Sequence, residues 1–187
     1  MTTRRYKTPA AFKAAVDQRL RSDAAKKNVT IDHRRQLFVY EQFIARLSKV
    51  FGNGFIIAGG VALEFLVERA RTTKDIDIHL RFGPEAALPW LQDAGSLDLG
   101  DFLVYEISDD AKRGDTGIAI EGLDHPVRRY HAEAKLGGKL YGYPFHIDLI
   151  AIDPPYYNND PLSGRRPRPP CCCWRLARNA LQPGGLG

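Results

Sequence analysis

The fold of this chain is decided by Phe55-Ile56-Ile57-Ala58-Gly59-Gly60-Val61-Ala62-Leu63-Glu64 and, after a polar run, Asp75-Ile76-Asp77-Ile78-His79-Leu80. The apolar run before the Gly-Gly pair predicts a short buried strand that ends in a sharp turn. The apolar spacing after the turn predicts a helix over Val61–Arg69. The second stretch alternates strictly between polar and apolar residues, which predicts a strand with both aspartates on one face.

Periodicity in the rest of the chain completes an α+β pattern. Gly137-Gly138 is the strongest hairpin signal, and Asp32 is a candidate cap for the second helix. The elements predicted outside the central stretch are helices at Ala10–Leu20, Ile31–Val50 and Ala86–Gln92, strands at Phe102–Ile107 and Ile118–Ile120, and hairpin arms at Tyr130–Leu136 and Lys139–Ala151. We therefore expect a small mixed β-sheet flanked by helices.

The alternating strand carries the first candidate site. Asp75 and Asp77 lie two positions apart, about 6.6 Å along a strand, so their oxygens can converge on one cation or bridge two. Carboxylate oxygens suit Mg²⁺ or Mn²⁺ that carries a substrate's phosphates. The alternative is a solvent-exposed polar face without a ligand. We expect His79 on the same face to pack or to donate a hydrogen bond, because nothing at zinc-ligand spacing accompanies it.

The glycine pair before the helix is the second candidate site. Gly59 and Gly60 allow a sharp turn and a close approach of the backbone, and the amides that begin the Val61 helix can bind a phosphate. The alternative is a tight turn that binds nothing. In combination, the turn and the acidic strand predict a phosphate site beside a metal site, with Lys74 as a further phosphate contact.

Together, Gly59-Gly60-Val61-Ala62-Leu63-Glu64 and Arg71-Thr72-Thr73-Lys74-Asp75-Ile76-Asp77 resemble the signature of the AbiEii/AbiGii-type nucleotidyltransferases. These proteins are toxins of type IV toxin–antitoxin and abortive-infection systems, and they share the minimal nucleotidyltransferase fold with DNA polymerase beta. The resemblance covers about two-thirds of the chain, from Ile31 to Ile152. It implies that the Gly-Gly turn and the two aspartates bind Mg²⁺ and an NTP. It also implies transfer of a nucleotide to an RNA acceptor, the 3′ end of tRNA in the better-studied relatives, and an antitoxin protein as a possible partner.

The chain departs from this family in three places. Val61 offers no hydroxyl, so a phosphate contact there must come from the backbone. The family's catalytic Lys and second Asp, expected after the hairpin, are missing. Lys135 lies before the hairpin glycines Gly137-Gly138, in a predicted strand, so it does not inherit the role. The alternative function is therefore an inactive remnant that binds nucleotide, RNA or antitoxin without turnover. A third interpretation is transfer to a small molecule such as an aminoglycoside.

A third carboxylate and a second histidine lie near the C-terminal end of the hairpin. In Phe145-His146-Ile147-Asp148-Leu149-Ile150, alternation places His146 and Asp148 on one face. Asp148 is a candidate third catalytic carboxylate, as metal ligand or general base, and a structural role is the alternative. We expect His146 to pack or to donate a hydrogen bond.

Charge and composition divide the chain into three parts. Residues 1–35 hold ten basic and three acidic residues, which are either a solvated face or a nucleic-acid surface. The last part is rich in Arg, Pro, Gly and adjacent cysteines, as a shifted reading frame in GC-rich DNA would produce. The predicted organisation is N-terminal helices in 1–50, a nucleotidyltransferase core in 51–163 and an irregular tail in 164–187, in a C-terminally truncated or frameshifted family member. No apolar run reaches the roughly 18 residues of a membrane span, and no secretory signal begins the chain, so we expect a cytoplasmic protein.

Overall fold

The structure is a computed structural model that describes residues 6–52, 54–66, 73–80, 87–109 and 127–151. Within these ranges it contains helices and strands in an α+β arrangement, as the sequence predicts. The elements in chain order are α1 (Pro9–Lys27), α2 (Ile31–Phe51), β1 (Phe55–Ala58), α3 (Gly59–Leu66), β2 (Asp75–Leu80), α4 (Ala87–Ser96), β3 (Leu103–Asp109), β4 (Val127–Leu136), β5 (Lys139–Leu140) and β6 (Phe145–Ala151). The predicted strand at 118–120, the last residues of the predicted helix at 67–69 and the tail at 164–187 lie outside the described residues.

The strands form one mixed sheet in the order β1-β2-β6-β4-β3, with β5 beside β4. Strands β2 and β6 are parallel, and the other neighbours are antiparallel. The sheet therefore places β6 between β2 and β4, so that residues distant in sequence become neighbours on its surface.

One face of the sheet packs against α1, α2 and α4 and forms a single core. Ile76 and Ile78 of β2 are at most 1% exposed, and they lie in the same apolar cluster as Leu20 of α1 and Phe43 of α2. The cluster also includes Leu91 of α4. The N-terminal helices are thus part of the same core as the sheet, because their apolar faces cover it. No helix in the described part of the chain is long and apolar enough to span a membrane.

The start of α2 differs from the prediction. The capping residue is Thr30, whose hydroxyl accepts the His33 N–H at 3.2 Å. Asp32 lies inside the first turn instead, where a carboxylate is favourable beside the helix N-terminus. The expectation that Asp32 caps the helix was therefore wrong, because a threonine just before the helix has the extended backbone that a cap requires.

The second arm of the hairpin is interrupted, whereas the sequence predicted one strand over 139–151. Gly137 and Gly138 form the turn with positive φ, as expected. The chain then leaves the ladder around Gly142, which has φ +83°. There the side chain of Gln36 replaces a strand partner: its Oε1 accepts the Tyr143 N–H at 2.7 Å and its Nε2 donates to the Tyr143 carbonyl at 3.2 Å. The pairing with β4 resumes in β6, shifted by two residues.

A buried ion pair joins α2 to the start of β3, and sequence periodicity gave no sign of it. Arg46 is fully buried and donates to both carboxylate oxygens of Asp101, at 2.9 and 2.6 Å. It also donates to the carbonyl of Leu103 at 2.9 Å and lies 5.1 Å from the ring of Tyr105. Because each charge is paired and hydrogen-bonded, the pair is tolerated inside the core.

Candidate functional site

The polar face of the sheet carries both predicted aspartates, as alternation indicated. Along β2, Asp75, Asp77 and His79 are half-buried, while the apolar residues between them are buried on the opposite face. Because β6 runs parallel to β2, Asp75 lies opposite His146 and Asp77 lies opposite Asp148. Two neighbouring strands thus bring the predicted carboxylates together on one surface.

The Gly-Gly turn lies directly against this acidic surface. Strand β1 pairs with β2 so that Ala58 is opposite Asp77, and the chain turns immediately afterwards. Gly59 has φ +62°, and a Cβ on it would lie 1.7 Å from Asp77 Oδ2. Only glycine allows the backbone to come this close to the carboxylate.

The helix that follows begins at Gly59 itself, two residues earlier than predicted. Val61 is fully buried, so its side chain packs in the core and only its backbone can contact a ligand. A Cβ on Gly60 would lie 2.9 Å from the Thr73 Cβ, so this glycine brings α3 close to the segment that leads into β2. The first amides of α3, which have no partner within the helix, therefore start beside the acidic strand.

Asp148 is held by Arg129, a residue that the sequence reasoning did not single out. The two residues are opposite each other on β6 and β4. Arg129 donates from Nε and Nη2 to the two carboxylate oxygens, both at 2.7 Å. Such a bidentate pair is strong and geometrically specific. The catalytic role predicted for Asp148 stays a prediction, and in this structure the carboxylate is neutralised by its neighbour.

Asp77 lies where negative charge is concentrated. Burial raises its pKa above the ordinary value of 3.8, and the charges of Asp148 and Asp75 raise it further. His79 and Arg129 act in the opposite direction. Arg129 already compensates the charge of Asp148, so the charge that a bound cation would offset is mainly that of Asp75 beside the half-buried Asp77.

A histidine orients the other aspartate. His146 Nδ1 lies 3.1 Å from Asp75 Oδ1, within hydrogen-bonding distance. The ring of His131, opposite His146 on β4, packs edge-on against it at 5.9 Å between centroids. His131 Nε2 in turn lies 3.3 Å from Glu133 Oε1. The prediction of a packing and hydrogen-bonding role is confirmed for His146, which fixes one oxygen of Asp75.

Lys74 is exposed immediately before β2. Its carbonyl accepts the His146 N–H at 3.0 Å, which continues the parallel pairing by one residue beyond Asp75. This bond places the lysine at the same end of the sheet as the acidic pair. Phosphate contact by its ammonium group stays a prediction.

The described residues fit a divalent cation only in part. Within the described ranges, no three His, Cys, Asp or Glu side chains are arranged to hold a metal ion by themselves. Asp75 and Asp77 supply two carboxylates on one face, and Mg²⁺ is commonly held by one or two carboxylates with water and substrate phosphates as the remaining ligands. The residues therefore fit a cation that arrives with a phosphorylated substrate better than a permanently enclosed one. The sequence matches no known family model and no curated protein.

Proposed function

We propose that this protein binds an NTP together with Mg²⁺ or Mn²⁺ and transfers a nucleotide from it to an acceptor. The observation that carries the proposal is the contact between the Gly59 turn and the carboxylate of Asp77. A phosphate held by the amides at the start of α3 would lie beside a cation held by Asp75 and Asp77. A nucleotidyl transfer reaction needs these two groups next to each other.

The chain's own residues divide the work in this proposal. Asp75 and Asp77 hold the cation, and His146 orients Asp75. The backbone of Gly60 and Val61 binds phosphate, because a helix N-terminus presents unpaired N–H groups to an anion. When bound, Mg²⁺ would neutralise charge on the phosphates. Catalysis would then consist mainly of positioning the acceptor hydroxyl in line with the α-phosphate.

The acceptor that we propose is RNA, with the 3′ end of tRNA as the first candidate. The resemblance to the AbiEii/AbiGii toxins supports this choice, and so does the net positive charge of residues 1–35. The role as a toxin, and an antitoxin partner, rest on the resemblance alone. Dependence of nucleotide incorporation on RNA would separate this acceptor from a small molecule.

Binding without turnover is the alternative, and the pairing of Arg129 with Asp148 favours it. Both oxygens of Asp148 accept from the guanidinium, so this carboxylate is occupied in the observed arrangement. Nucleotide incorporation that disappears in Asp77→Asn would contradict the alternative.

A thermal-shift titration tests the nucleotide site without knowledge of the acceptor. The melting temperature would be measured with Mg²⁺ and each NTP, separately and together, because ligands that bind the folded state raise it. We expect a shift that needs both ligands and that disappears in Asp75→Asn. The matched control is Asp93→Asn, which removes an exposed carboxylate on α4 away from the polar face. Absence of any shift in a protein that melts cooperatively would contradict the proposed function.

A further inference from the structure

Glu64 is a buried carboxylate outside the acidic pair, and the proposed function does not yet use it. It lies on α3 and is 8% exposed. Its Oε1 accepts the backbone N–H of Thr73 at 2.7 Å, and its Oε2 is buried without a hydrogen-bond partner in the described part of the chain. An unpaired buried oxygen is unfavourable, so an apolar side chain would suit the core better if packing alone mattered.

Thr73 links Glu64 to the acidic strand through hydrogen bonds on both sides. Its hydroxyl accepts the Asp75 N–H at 3.3 Å and donates to the Asp75 carbonyl at 3.2 Å. Its own carbonyl accepts from the hydroxyl of Tyr40 at 3.0 Å. On the remaining side, Thr73 packs so closely against Gly60 that a Cβ on Gly60 would lie 2.9 Å from the Thr73 Cβ. Thr73 is therefore fixed between α2 and α3, and it fixes the first residue of β2.

We propose that Glu64 is a positioning residue that holds the acidic strand at a set distance from the glycine turn. It belongs to the same short helix as Gly59 and Gly60, so its bond to Thr73 makes the turn and Asp75 move as one unit. This inference rests on the proposed function, because it concerns the site in which a cation and a phosphate would meet. Glu64 touches neither ligand and acts only through Thr73.

Three substitutions separate positioning from simple packing. Glu64→Gln keeps an oxygen that can accept the Thr73 N–H, whereas Glu64→Leu has similar size and no acceptor. Thr73→Val is close in shape and keeps the bond to Glu64, but it loses both bonds to Asp75. The control is Gln92→Leu, which removes another side-chain bond between a helix and a strand, donated by Nε2 to the Ile107 carbonyl at 2.9 Å.

The first readout is the affinity for Mn²⁺, measured by calorimetry on the full chain in the presence of the NTP that gives the largest thermal shift. We expect Glu64→Gln to bind within about twofold of the original protein, and Glu64→Leu and Thr73→Val to bind at least tenfold more weakly. Gln92→Leu should lose stability without losing affinity. Unchanged affinity in both Glu64→Leu and Thr73→Val would overturn the proposal, as would a Glu64→Gln variant as weak as Glu64→Leu.

The second readout is amide hydrogen exchange at Thr73 and Asp75, which needs no ligand. Glu64→Leu should exchange faster at both amides, and Glu64→Gln should match the original protein. If Glu64→Leu does not fold, Thr73→Val still tests the positioning role, because both amide exchange at Asp75 and Mn²⁺ affinity can be measured on that variant. Absence of Mn²⁺ binding by the original protein, both alone and with each NTP present, would overturn the proposed function and the role of Glu64 in it. Unchanged exchange in a protein that does bind Mn²⁺ would overturn the Glu64 inference alone.

Discussion

Gly59→Ala should destabilise the protein more than an ordinary glycine substitution, because the new methyl group collides with Asp77. Gly59 has φ +62°, and the added Cβ would lie 1.7 Å from Asp77 Oδ2 and 2.7 Å from Cγ. Neither distance is possible between real atoms, so the carboxylate has to leave its position. The substitution therefore tests the contact on which the proposed function depends.

The expected loss of stability has two parts. A side chain in the left-handed region costs about 1–2 kcal/mol, and moving Asp77 away from its preferred rotamer costs about 0.5–1.5 kcal/mol more. The total is about 1.5–3.5 kcal/mol. Gly138→Ala is the matched control, because Gly138 has φ +81° and nothing within 4 Å of an added Cβ. It should lose only the conformational part, about 1–2 kcal/mol.

Urea denaturation followed by circular dichroism measures both losses. The two substitutions would be made in the original protein and in Asp77→Ala, which removes the two nearest atoms and leaves, of the three nearest, the Cβ of residue 77 at 3.3 Å. There the extra cost of Gly59→Ala over Gly138→Ala should largely disappear, which is a coupling of about 1 kcal/mol between neighbouring residues. An equal loss for both glycines in the original protein, or a Gly59→Ala loss unaffected by Asp77→Ala, would refute the close approach.

Three further predictions concern charged groups. Asp148→Asn should cost about 1–3 kcal/mol in urea denaturation, because Arg129 loses its charged partner; no change would mean that the pair contributes nothing to the fold. Arg46→Met should cost about 3–5 kcal/mol, since it leaves Asp101 buried and unpaired, and an unchanged urea midpoint would contradict the buried pair. Burial raises the pKa of Glu41 to about 6 from an ordinary 4.5, so its stabilising contribution is complete below pH 4.5 and is lost as the pH rises through 6. Glu41→Gln should therefore be more stable than the original protein by about 1–2 kcal/mol above that range and equal to it below; a constant difference across pH would exclude titration of Glu41 as the cause.

The local pattern of polar, apolar and glycine residues was enough to predict those parts of the site that lie within one strand or one turn. Alternation in 75–80 places the aspartates on one face whatever the strand pairs with, because the side-chain period of a strand is two. The Gly-Gly turn is equally local, since it reflects the conformational freedom of glycine. Both predictions are confirmed at the level of strand, turn and helix.

The pairing of Asp148 with Arg129 could not be predicted from local sequence pattern, because it depends on an interruption in the hairpin. The turn sets a register in which Lys135 pairs with Leu140. Continued without a break, that register would place Arg129 opposite His146. The segment around Gly142 adds two residues, and Arg129 meets Asp148 instead. The side chain of Gln36, 107 positions from Tyr143 in the sequence, hydrogen-bonds the backbone of this segment, and sequence periodicity cannot reveal such a contact.

The central position of β6 has a consequence for the order in which the chain can fold. Along the described chain β6 is the last strand, yet it joins β2 to β4, and its pairing with β2 brings together Asp75 and His146, 71 positions apart. Before it arrives, the strands can form only two separate pieces, β1 with β2 and β3 with β4 and β5. Closing so long a loop is entropically costly and slow, and each piece meanwhile exposes an unpaired edge that can associate with other chains. A nascent chain that has not yet reached Phe145 should therefore be prone to aggregation.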